Sequence, residues 1–188
     1  MATVLWRNDR DAGLDRCRFD VGPNGFRLSG TALLVRDAMP YEVRYTVMAD
    51  PAWRTRSAGV HVQTPEGEDL RLALSADGEG GWTMGREPMP QLEGALDVDL
   101  AATPATNTLA IRRLSLVPGQ AADVAVAYVP LWDLTPEPLG QRYERLAEDR
   151  YRYSKPGFSA ELVVDDEGVV LRYQGVWEAV ARAGGGAA

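Results

Sequence analysis

Two aspartates set two residues apart, Asp97 and Asp99, are the pair in this 188-residue chain whose spacing most directly suggests chemistry. On an extended strand they leave one face about 7 Å apart, a separation that can share a divalent cation. No third oxygen ligand adjoins them, so no metal centre is expected, and they face solvent or pair with arginine instead. Arg54, Arg56, Arg112 and Arg113 carry guanidinium forks suited to a phosphate or carboxylate head group, or simply match the acidic excess. Tyr151 and Tyr153 share one strand face while Arg150 and Arg152 share the other; aromatic faces with polar tips suit a sugar or a β core. Five tryptophans (Trp6, Trp53, Trp82, Trp132, Trp177) anchor a core, with some available to line a channel. Cys17 and His61 lie on separate strands without a third orienting group, so both are expected in or beside the core rather than as a nucleophilic pair. There is no G-x-S-x-G, no phosphate-cradling glycine loop and no H-E-x-x-H.

The elements that position these residues are mostly strands. Leu96, Val98 and Leu100 alternate with the two aspartates, which predicts a strand with the carboxylates on the face away from the apolar residues. The period then changes. Thr103-Pro104 opens a helix expected over 104–114, with Ala110, Ile111 and Leu114 on the packed face, Arg112-Arg113 in the last turn, and Pro118-Gly119 as its stop. Elsewhere the pattern is short alternating runs: Arg16–Val21, Phe26–Val35, Tyr41–Val47, a run ending near Gln63, Leu70–Leu74, Asp123–Val129, Gln141–Leu146, Arg150–Ser154, Phe158–Val164 and Val169–Tyr173. Asp9–Asp15 reads as a polar loop, Gly85–Gln91 as irregular, and Pro130–Pro138 as an extended crossover. About a dozen strands around one helix predict a single β-dominated domain over 1–182, with 183–188 a disordered Gly/Ala tail.

Hydrophobic residues at 45% and charged ones at 25% fit a globular domain. A net charge of −7 argues against a nucleic-acid groove. One cysteine excludes an intrachain disulfide, and one histidine excludes a histidine-rich metal centre. The start of the chain lacks a secretory signature and no apolar run is long enough for a spanning helix, so a cytoplasmic protein without a transmembrane segment is expected. No cofactor is implied, and the oligomeric state is not legible.

Several ordered segments carry a resemblance. Leu96-Asp97-Val98-Asp99-Leu100, Thr103-Pro104, Thr106-Asn107-Thr108-Leu109 and Ile111-Arg112-Arg113-Leu114 resemble a bacterial family of glycolipid-binding proteins. Trp53-Arg54-Thr55-Arg56, Gln141-Arg142-Tyr143, Arg150-Tyr151-Arg152-Tyr153 and Phe158–Leu162 follow the same order. The resemblance runs from about Trp6 to Tyr173. It implies a spiral β-roll, a long curled antiparallel sheet, barrel-like, wrapped around a single helix and enclosing an apolar channel. It departs at Ala105, where the family has an aromatic, and at Ala110, where it has a proline; these smaller residues widen a cavity or are covered by neighbours.

The expected function is therefore a binding protein that holds a glycolipid or other amphiphile, its chain in the channel and its head at a polar mouth. The residues expected at that site are Trp53, Arg54, Arg56, Asp97, Asp99, Asn107, Arg112, Arg113, Tyr143, Tyr151 and Tyr153. The alternatives are an enzyme acting on a glycoconjugate, with Asp97, Asp99 or Tyr143 as acid–base groups, and a non-catalytic partner-binding module. Successive helical residues differ by about 100°, so Arg112 and Arg113 point apart. Arg112 is expected to be buried against Asp97 or Asp99, with Arg113 outward.

Overall fold

The computed structural model describes residues 2–67 and 69–184. Eight strands come first: β1 (Ala2–Asn8), β2 (Gly13–Gly22), β3 (Gly25–Arg36), β4 (Met39–Ala49), β5 (Thr55–Gln63), β6 (Asp69–Ala76), β7 (Trp82–Met84) and β8 (Glu87–Pro88). A 3-10 turn (Pro90–Leu92), β9 (Asp97–Leu100), α1 (Asn107–Leu114) and β10 (Ala121–Val129) form the middle. The chain closes with β11 (Glu137–Ala147), β12 (Arg150–Lys155), β13 (Phe158–Val164), β14 (Val170–Tyr173) and β15 (Trp177–Gly184).

All fifteen strands belong to one sheet, in the order β8 to β1, then β15 down to β9. Within β1 to β8 and within β10 to β15, neighbours in sequence pair antiparallel, so no crossover is needed to connect them. The chain's two ends meet in the middle of the sheet, where β1 pairs with β15. The expected curled sheet around one helix is what forms, with three differences of detail. The sheet is not closed into a barrel, since β8 and β9 are its two edges. A very short strand, β8, lies within Gly85–Gln91, expected to be irregular, and pairs with the equally short β7 just before it. The ladder is also antiparallel everywhere except one place, where β9 and β10 run parallel. That exception explains the helix. A parallel pair cannot be joined by a tight turn and needs a crossover, and α1 lies in that crossover.

The chain begins to turn at Pro104, whose carbonyl accepts the Asn107 N–H at 3.3 Å, but regular helix starts only at Asn107. It ends at Leu114, as expected. Ser115 takes a left-handed conformation (φ 46°) and its N–H caps the Ile111 carbonyl at 3.2 Å. At the other end of the chain, β15 runs through Ala183 and Gly184, which pair with Thr3 and Ala2 and so are not part of a disordered tail. Residues 185–188 of that expected tail lie outside the described residues.

α1 is packed between the two halves of the sheet. Ala105 and Leu109 join a core with Val4, Trp6, Tyr45 and Val47 from the early strands. Ala110 and Ile111 join a second core with Tyr143, Tyr151, Tyr153 and Leu162 from the late ones. Burying both flanks explains why every residue from Asn107 to Ile111 is buried. The β9 edge curls back to the start of β5. Thr55 donates its N–H to the Leu96 carbonyl at 2.9 Å, and its hydroxyl accepts the Val98 N–H at 3.0 Å.

Candidate functional site

Burial of both faces of β9 decides what its aspartates do. Asp97 is not solvent-facing. It is buried and held by Arg113, whose Nε donates to Oδ1 at 3.0 Å and whose Nη2 donates to Oδ2 at 2.6 Å. The expected assignment of the two arginines is thus reversed: Arg113 is the paired one and Arg112 is exposed. The reason is that β9, α1 and β10 form a crossover, so the last helical turn leans back over β9 at Arg113. Burial nevertheless raises the Asp97 carboxyl above its ordinary value, with Arg113 pulling the other way. A carboxylate so committed does not share a cation with Asp99. Among the described residues no group of three His, Cys, Asp or Glu side chains could hold a metal ion.

Asp99 lies one turn of the strand further on, and its surroundings differ. It accepts the Gln141 amide at 2.6 Å and the Thr106 hydroxyl at 3.1 Å. Gln141 in turn accepts the Tyr143 hydroxyl at 3.3 Å, and the Asn107 amide donates to that same hydroxyl at 2.8 Å. Burial pushes the Asp99 carboxyl up, opposed first by the Gln141 and Thr106 hydrogen bonds and then by the charge of Lys155. Asp99 and Asn107 line a cavity of about 180 Å³ whose aromatic walls include Tyr128, Tyr153, Phe158 and Tyr173. Tyr153 sits edge-on to Tyr173 at 5.7 Å and to Tyr143 at 5.2 Å. Burial, then the Asp99 charge, raises the Tyr128, Tyr153 and Tyr173 phenols, so these hydroxyls remain protonated donors near neutral pH. Two cations sit at this pocket. The Lys155 ammonium lies 4.9 Å from the Tyr128 ring centre and the Arg10 guanidinium 5.7 Å from that of Phe158.

A second pocket flanks the far end of α1. Trp53 has φ 64°, a conformation costly for a bulky side chain. Asp50 imposes it. Its carboxylate accepts the Ala52 and Arg54 N–H groups at 2.9 and 3.0 Å, and its carbonyl accepts that of Trp53 at 2.9 Å. Trp53 stacks on Phe26 with ring centres 3.6 Å apart, and Arg112 lies 5.1 Å from the indole centre. Beneath them is a small apolar pocket of about 90 Å³, lined also by Phe19, Leu28, Thr108 and Val169. This is smaller than the ~150 Å³ cavity that accommodates benzene, so as it stands it does not take an acyl chain. Ala105 and Ala110 are buried in the core and line neither of these two pockets. On the other side of Arg112 a wider cleft of about 510 Å³ is bordered by Tyr151, Arg145 and four carboxylates (Glu148, Asp149, Asp165, Asp166).

The residues expected at one mouth are therefore distributed. Asp99, Asn107 and Tyr153 meet in the aromatic cavity, with Tyr143 behind its wall. Trp53 and Arg112 meet at the apolar pocket, and Tyr151 faces the wider cleft. Arg54 is tied to Asp50 and Arg56 is exposed beside Gly78, so the four arginines do not converge. His61 pairs with Asp69 at 2.7 Å, while Cys17 is fully buried. Sequence reasoning passed over Arg10, Tyr128, Lys155 and Tyr173, which complete the cavity. One available signal was that Lys155 is the chain's single lysine.

Asp15 was also missed. Expected in a loop, it lies in β2 and is wholly buried, accepting the Tyr45 hydroxyl at 2.9 Å and that of Thr103 at 2.5 Å. Tyr45 reaches it across Gly30, where any side chain would collide with the phenol ring.

One curled sheet around a single crossover helix, with an aromatic polar cavity beside that helix, defines a β-roll protein. The chain belongs to the family described as "Putative glycolipid-binding", whose pattern matches residues 3–179. It is similar to the crystal structure of a DUF1089 family protein from Pseudomonas aeruginosa. The two are 32% identical and superpose with a TM-score of 0.80 over 88% of this chain and 91% of that one. No curated protein matches the chain. No helix among the described residues is long and apolar enough to cross a membrane.

Proposed function

We propose that the protein binds the saccharide head of a glycolipid in the cavity beside Asp99. The observation that carries this reading is the make-up of that cavity: three tyrosines and a phenylalanine wall it, and a carboxyl and an amide lie inside. A sugar ring has apolar C–H faces and an equatorial rim of hydroxyls, so aromatic walls with a few fixed polar atoms complement it. At about 180 Å³ the space exceeds the ~150 Å³ that holds benzene. Membership of the family supports a glycolipid rather than a free sugar. The acyl chains stay outside the core, because the pocket between α1 and the early strands is too small for them.

Native mass spectrometry of the protein incubated with a bacterial glycolipid extract tests this. The wild type is expected to retain a saccharide-bearing lipid, Tyr128→Ala to lose it, and fatty acid alone to leave no adduct. Equal retention by the variant, or retention of fatty acid in place of glycolipid, would sink the reading.

The upward shift of Asp99 also favours a second reading, an enzyme with Asp99 as general acid. Glycoside hydrolysis takes a second carboxyl about 5–10 Å away across the bond. Asp99 is the one carboxylate among the described residues lining this cavity, Asp97 is held by Arg113, and the Tyr143 hydroxyl is bonded to Asn107 and Gln141. Binding is the better supported of the two.

A further inference from the structure

The charges around the same cavity do not balance. Asp99, its only carboxylate among the described residues, has both oxygens engaged by Thr106 and Gln141. Arg10 and Lys155 line the cavity, and neither makes an ion pair with a carboxylate among the described residues, although most arginines of the chain do. Nearby acids are accounted for or exposed. Asp9 pairs with Arg7, and Glu137, opposite Tyr128 on the neighbouring strand, is exposed. In a protein of net charge −7, two cations without an ion pair among the described residues thus line one aromatic cavity.

Both are placed by built local structure. The Asn8 side chain accepts the Arg10 and Asp11 N–H groups at 2.8 Å each, shaping the loop between β1 and β2. The Asp9 N–H donates to the Val176 carbonyl at 2.9 Å, which fixes that loop over the turn between β14 and β15. Lys155 ends β12 and pairs in register with Phe158, the ring beneath Arg10, across the Pro156-Gly157 turn. The two cations thus approach one hairpin tip from different elements. Asp99 supplies at most one negative charge against these two cations, and its oxygens are already engaged by Thr106 and Gln141.

We infer that this cavity selects an anionic saccharide, one carrying a phosphate or carboxylate, with Arg10 and Lys155 recognising the anion while the tyrosines hold the ring. The inference rests on the saccharide-binding reading and narrows its ligand class. A charge-assisted hydrogen bond from each cation strengthens binding about tenfold or more.

Isothermal titration of the whole chain with glucose, glucose 1-phosphate, glucuronate and inorganic phosphate tests it. The anionic sugars are expected to bind at least about tenfold more tightly than glucose. Arg10→Gln and Lys155→Gln should each remove most of that advantage and leave weak glucose binding in place. Glucose bound as well as its anionic forms overturns this inference alone, whereas no binding of any sugar overturns the saccharide reading with it. Inorganic phosphate bound as tightly as glucose 1-phosphate would mark a bare anion site and also overturn it. Flotation with phosphatidylcholine vesicles, with and without phosphatidylinositol, separates the sources of the anion. Capture only with phosphatidylinositol identifies a lipid head, and binding only of the soluble sugar phosphate a free metabolite; both sustain the inference.

Discussion

Arg113 grips both oxygens of Asp97, joining the last turn of α1 to the edge strand that precedes the helix. The pair is shielded, with the arginine side chain 17% exposed and the carboxylate 2%. Removing one partner leaves the other charge buried and unpaired, which costs about 3–5 kcal/mol. Arg113→Ala is therefore expected to destabilise by about that amount in urea denaturation. Arg112→Ala, which removes only an exposed cation from the face of Trp53, should cost under about 1 kcal/mol. Equal effects would contradict this division of roles.

Much of this was legible and some was not, for physical reasons. Strands with one buried face announce themselves by alternation, as Val43, Tyr45 and Val47 do in β4. The crossover helix announced itself by a change of period. β9 misled because alternation implies one wet face, whereas both sides of this strand are covered and Asp97 is buried with a partner. Rotation about a helix axis tells that Arg112 and Arg113 diverge, but not which one meets β9; that depends on how the crossover leans. Arg10 and Lys155 belong to a loop and a strand end far apart in sequence, and no local pattern says that they meet.

Asp15 is expected to impose a pH dependence on stability. Burial pushes its carboxyl up to about 7 despite the Thr103 and Tyr45 hydrogen bonds, while in the unfolded chain it titrates near the usual ~3.9. Between those values the folded state keeps a proton that the unfolded state has released, so stability falls as pH rises. The contribution is complete below about pH 4 and lost above about pH 7, and amounts to a few kcal/mol. Asp15→Asn should flatten that decline, read as a smaller difference in urea midpoint between pH 4.5 and 7.5. An unchanged difference would show that Asp15 ionises normally.

The chain of bonds from Asn107 through Tyr143 to Gln141 and Asp99 is buried for most of its length. Tyr143→Phe leaves the Asn107 amide without its acceptor and the Gln141 oxygen without a donor. The expected loss is about 1–3 kcal/mol, measured by chemical denaturation. A neutral substitution would mean that water takes over both bonds.

Thr108 offers the opposite sign. Its hydroxyl is buried on α1 beside the small apolar pocket, and its Oγ1 has no hydrogen-bond partner among the described residues. A buried hydroxyl without a partner costs about 1–3 kcal/mol relative to an apolar group of the same shape. Valine supplies that shape, and the two residues have nearly the same helix propensity, so no helical penalty offsets the gain. Thr108→Val is expected to stabilise by about 1 kcal/mol, a rise in Tm of about 2–4 °C for a chain of this size. A fall in Tm would show instead that the hydroxyl is satisfied in solution by a water held in the pocket. In that case the space is wetter than its apolar walls suggest.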